Sequence, residues 1–111
     1  MNKTPKRNRI EASDPNADTE VQITEIIRKL DGEIFGWLLI TQQHIFPCEA
    51  AIHDTLEDLI CDLGDAMTCH YSTVAVYHQA RRLEPEEIAA LEKAALDGLG
   101  SISRARTEKG I

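Results

Sequence analysis

Residues 47–67, PCEAAIHDTLEDLICDLGDAM, decide how the rest of the chain is read. At about 100° per residue, Ile52, Leu56, Leu59, Ile60, Leu63 and Met67 gather in one sector. Asp54, Glu57, Asp58, Asp62 and Asp65 fill the opposite one, and no Lys or Arg lies between Ala50 and Met67. Phe46 precedes proline and is pushed out of the helical region, whereas Pro47 suits the first position of a helix. The stretch is expected to form one amphipathic helix, aliphatic toward the core and acidic toward water.

Working upstream, Thr19 and Gln22 have capping-box spacing, and Ile23, Ile26, Ile27 and Leu30 follow at helical intervals. Asp31-Gly32 then admits two readings. In one, a first helix ends there and a second runs over about 33–44, with Ile34, Trp37, Leu38, Thr41 and Ile45 on one face. In the other, Asp31-Gly32 is the turn of a β-hairpin spanning 21–41. The hairpin would put Glu25 and Lys29 on the same face as Ile23 and Ile27, so periodicity favours helix.

Downstream, Val74 and Val76 alternate like a strand, while Val76, Ala80 and Leu83 step like a helix. The run Ala80-Arg81-Arg82 tilts this segment to helix. Glu84-Pro85-Glu86-Glu87 opens a last helix with proline in its first turn and acids around it. Ile88, Leu91, Ala95 and Leu99 supply its apolar stripe, and Gly98 is placed to cap it. The expected fold is an all-α bundle of four or five helices over residues 19–100. The alternative is α+β with an N-terminal hairpin at 21–41. Residues 1–18 and 101–111 are polar, rich in basic groups and poor in apolar ones, and are expected to be disordered.

The chain has 111 residues, the length of one domain, and a net charge of −7. The charge is uneven: residues 21–100 hold five basic and fourteen acidic side chains, whereas residues 101–111 hold three basic and one acidic. An acidic body repels a phosphate backbone, so direct nucleic-acid binding by the core is not expected. No apolar run nears the roughly 20 residues that cross a bilayer, and MNKTPKRNRI lacks the apolar stretch of a secretory signal. Three cysteines, Cys48, Cys61 and Cys69, are odd in number and irregularly spaced, which fits a reducing compartment. A cytoplasmic protein without membrane contact is expected.

No Cys-x2-Cys or His-x3-His pair offers two ligands to one metal, so neither metal nor cofactor is expected. No glycine-rich phosphate loop is present, and no Ser-His-Asp arrangement can be read from spacing. Asp54-x-x-Glu57 and Asp62-x-x-Asp65 resemble the carboxylate pairs of small helical nucleotide pyrophosphohydrolases. In those proteins the pairs sit on two helices; here both fall on one, so convergence on Mg²⁺ would take a dimer. The acidic face itself remains. It lacks the i, i+4 salt bridges of ordinary surface helices, and the helix dipole disfavours Asp62 and Asp65 near the C-terminal end. The expected function is non-catalytic: a small acidic regulator or inhibitor whose face of Asp54, Glu57, Asp58, Asp62 and Asp65 binds a basic protein partner. A nucleic-acid-binding protein would suit, its phosphate site being taken by carboxylates as DNA-mimicking inhibitors do. The alternatives are a Mg²⁺-dependent phosphohydrolase assembled across a homodimer, and a structural homo-oligomer subunit.

Overall fold

The run WLLITQ over residues 37–42 is buried along four successive positions, Leu38 to Thr41. A helix packed on one side hides only a stripe, and a strand at a solvated face hides alternate residues. A short run buried throughout is a strand covered on both faces. The structure, a computed structural model, describes residues 9–31 and 34–109, with side chains through residue 98. Strand β1 (Ile10–Glu11) precedes helix α1 (Thr19–Lys29), then come β2 (Trp37–Gln42), β3 (Glu49–His53) and α2 (Leu56–Thr68). Strands β4 (Ser72–His78) and β5 (Arg81–Arg82) lead to α3 (Pro85–Lys109). The five strands form one antiparallel sheet in the order β1-β3-β2-β4-β5.

The fold is therefore α+β, and the expected all-α bundle of four or five helices is corrected. Helices form at both ends of the core sequence, as α1 and α3, because each buries one apolar stripe, α1 against the sheet and α3 mainly against α2. Between them, the expected helices over 33–44 and 72–83 are replaced by β2, and by β4 with β5. The hairpin alternative had the right class and the wrong strands. Residues 19–29 are helical, Asp31 sits at φ 55 beyond the helix end, and the hairpin partner of β2 is β3. The expected single helix over 47–67 is likewise corrected, because β3 occupies its first third.

Each face of the sheet has its own core. Leu38, Ile40, Ala50 and Ala75 pack with Ile23 and Ile26 of α1. On the other face Leu39 and Val76 pack with Leu59 and Leu63 of α2 and Ala95 of α3. The pairing of β2 with β4 shifts register between Ile40 and Thr41, opposite Thr73 and Ala75, leaving Val74 as the extra residue of a bulge. Both Val74 and Ala75 consequently lie with the α1-side core.

Gln22 is a buried polar anchor between layers. Its Nε2 donates to the Ala17 carbonyl at 2.8 Å, and its Oε1 accepts the Cys48 backbone N–H at 2.7 Å. The Thr19–Gln22 capping box does not form: Asp18 is the N-cap residue and makes no side-chain cap bond. At the other terminus, α3 continues through Gly98 rather than ending there. Strand β1 falls within residues 1–18, and the Ala12 side chain just after it is buried at 3% exposure.

Candidate functional site

Helix α2 starts where the sequence offers a cap. The Thr55 hydroxyl accepts the Asp58 backbone N–H at 3.1 Å, which satisfies one of the free donors of the first turn. From there Leu59 and Leu63 point into the core, and Glu57, Asp58, Cys61 and Asp65 line the outward side. Glu57 and Asp58 lie in the first turn, where the helix dipole favours them. Asp65 lies four residues from the end, in a last turn that holds no basic residue. Asp54 is exposed in the link between β3 and α2.

Asp62 separates from this group. Its side chain is 17% exposed, and its Oδ2 lies 2.8 Å from His53 Nε2 on β3. Its Oδ1 lies 3.5 Å from Arg9 Nη2, and Arg9 Nη1 donates to Glu49 Oε1 at 2.9 Å. Arg9 thus ties the residue before β1 to both β3 and α2. The structure brings Glu57, Asp58 and Asp65 onto one surface with Asp54 beside them, and places Asp62 in an interlayer network with Arg9, Glu49 and His53.

The sequence gives no hint of that network, because its members come from β1's flank, β3 and α2. The Thr55-x-x-Asp58 spacing, however, is a readable helix start inside the presumed 47–67 helix. Next to His53 in the sheet is Trp37, whose other strand neighbour is His78. Trp37 and His78 stack with ring centroids 4.0 Å apart and 13° between planes.

Arg81 and Arg82 form the basic pair of β5, and neither meets the α2 acids. Arg81 holds Glu87 through two bonds of 3.2 and 3.0 Å, and Arg82 holds Glu20 through two of 3.0 Å. The guanidinium hydrogen bonds keep Glu87 and Glu20 below the usual carboxylate range. Glu87 also accepts the Glu84 N–H at 2.7 Å, closing the start of α3. Lys29 pairs with Glu25 and Lys93 with Asp97. Among the described residues, Asp54, Glu57, Asp58 and Asp65 have no ion-pair partner within 4.0 Å.

Among the described residues, no three His, Cys, Asp or Glu side chains converge as a metal site would require. The two carboxylate pairs do not converge: Asp54 precedes α2, and within the second pair Asp62 turns to the sheet and Asp65 to solvent. Cys48 is fully buried, and burial pushes its thiol pKa up; Cys61 and Cys69 are exposed, free thiols. Among the described residues, no helix is long and apolar enough to cross a membrane. Compared with known proteins, the chain matches no family model, no curated protein and no solved structure.

Proposed function

We propose that the protein is a non-catalytic interaction module, a small acidic regulator or inhibitor that binds a basic protein partner through the outward side of α2. The observation that carries this reading is the division of cations in the fold. Arg9 is tied to Glu49 and to the inward-turned Asp62, and Lys29, Arg81, Arg82 and Lys93 are tied to carboxylates outside α2. Arg28 has no ion-pair partner among the described residues and lies on α1. Glu57, Asp58, Asp65 and the neighbouring Asp54 are left uncompensated among the described residues. Such a patch steers encounter with a positive surface and is screened by salt. Asp62 serves the reading only indirectly, by fixing α2 against β3.

The test compares the wild-type chain with a Glu57→Lys, Asp58→Lys, Asp65→Lys variant as baits in host extract. A protein captured by the wild type is then purified and titrated with both at about 50 and 200 mM salt. Loss of binding in the variant, with wild-type affinity falling as salt rises, is expected. Equal affinity of both proteins, independent of salt, would overturn the proposal.

A further inference from the structure

Strand β4 is the last full-length strand on its side of the sheet. β5 pairs with it only at Tyr77 and His78, and the Leu83 N–H adds one bond of 2.8 Å to the Val76 carbonyl. Among the described residues, no strand covers the outer edge of β4 over 72–75. An edge of this kind presents backbone donors and acceptors to whatever lies beside it. Here a cleft of about 620 Å³ lies beside it, with Thr73 and Val74 in its lining. That volume falls within the roughly 300–1,000 Å³ of ordinary ligand clefts.

The cleft straddles the sheet edge. Val74 belongs to the α1-side core, and Ile88 on the opposite wall belongs to the α2/α3-side core. Its acidic lining residues are Glu20, Glu84 and Glu92. Among the described residues its one basic residue, Arg82, is already held by Glu20. Glu84 and Glu92 have no ion-pair partner among the described residues.

We infer that the open edge of β4 accepts an extended basic segment of a partner protein as an added strand. Main-chain hydrogen bonds to residues 72–75 supply its register, and alternate side chains fall to the two faces. On the α3 face, Lys or Arg meets Glu84 and Glu92; on the α1 face, aliphatic side chains meet Val74. A second copy of this chain suits the edge poorly, because pairing β4 with β4 would bring two sets of these glutamates together. The bulge at Val74 limits the paired length to a few residues, so the added segment is short.

The probe is an acetylated, amidated hexapeptide of alternating Lys and Val, added to the full-length ¹⁵N-labelled protein. The expected result is amide shifts over residues 72–76 and 82–92. N-methylation of alternate backbone nitrogens in the peptide, side chains unchanged, is expected to weaken binding at least tenfold. The surface variant Glu84→Lys, Glu92→Lys is expected to lose a similar factor and the shifts over 72–76 with it, whereas in the Glu57→Lys, Asp58→Lys, Asp65→Lys variant the shifts over 72–76 persist. This last arm separates the edge from the α2 surface. Shifts confined to 54–65, equal binding of the N-methylated peptide, or a concentration-dependent dimer that pairs β4 with β4 would each overturn the inference.

Discussion

His53 Nε2 lies 2.8 Å from Asp62 Oδ2, joining the last residue of β3 to the middle of α2 across the start of that helix. The contact turns one member of an acidic run from a solvated charge into part of the packing. Both side chains are about one-fifth exposed. Asp62→Ala removes this bond and leaves Arg9 with Glu49 alone. We expect a loss of about 1–3 kcal/mol in urea unfolding, against no more than about 0.5 kcal/mol for Asp65→Ala on the open side. Equal effects of the two substitutions would show that the network contributes nothing to stability.

Gln22 is 1% exposed and bonds both Ala17 and Cys48. Gln22→Ala leaves the buried Cys48 N–H without its acceptor, which costs about 1–3 kcal/mol. The Cys48 amide is also expected to lose protection in hydrogen exchange before the amides of β2 do. Unchanged protection at Cys48 would mean that another acceptor replaces the glutamine.

Glu25 accepts the Ser13 hydroxyl at 2.6 Å and the Ser13 backbone N–H at 3.0 Å, with Lys29 one turn on. The Ser13 hydroxyl bond first, then the Ser13 N–H and Lys29, lower the Glu25 pKa from 4.5 to about 2. A carboxylate depressed on folding adds stability that is complete above its unfolded pKa. That contribution is lost as pH falls from about 4.5 toward about 2. Ser13→Ala is expected to raise the Glu25 pKa in a carboxyl NMR titration and to flatten the stability profile in that window. A profile identical to wild type would refute the assignment.

Gly36 has φ +74, a region where a side chain is strained, and a Cβ there would collide with the His53 carbonyl oxygen. Its own carbonyl accepts the Gln79 N–H at 2.7 Å, so the backbone cannot simply move away. Gly36→Ala therefore combines about 1–2 kcal/mol of conformational strain with displacement of β3. We expect a fall of more than about 2 kcal/mol together with NMR shifts at His53 and Asp62. A variant as stable as wild type would show that the β2 entry relaxes freely.

The two outer helices were legible because each buries a single stripe, α1 against the sheet and α3 mainly against α2. Ile23, Ile26 and Ile27 in α1, and Ile88, Leu91 and Ala95 in α3, keep a helical period that survives in the linear sequence. The inner strands lost their period for the opposite reason. Leu38 and Ile40 face α1 while Leu39 faces α2 and α3, so all three are apolar and the alternation vanishes. β3 failed differently. Its residues 49–53 extend the apolar and acidic sectors of α2 by coincidence, and only Thr55 marks the break. Strand β1 has two residues, too few for any period.

The candidate site divides along the same line. That Glu57, Asp58 and Asp65 share an exposed side of one helix follows from 3.6 residues per turn, and the sequence alone determined it. Asp62 sits roughly 100° around that helix from the middle of its buried sector, at the border between core and solvent. Its role was settled only when β3 placed His53 and the chain before β1 placed Arg9 against it. Likewise, nothing along the chain assigns Arg81 to Glu87 or Arg82 to Glu20 rather than to the α2 acids. Local periodicity is written into consecutive residues, whereas the partner of a charge depends on which distant segments the sheet brings side by side. Tertiary structure alone therefore decided which carboxylates of this acidic chain are paired within the fold and which face outward uncompensated.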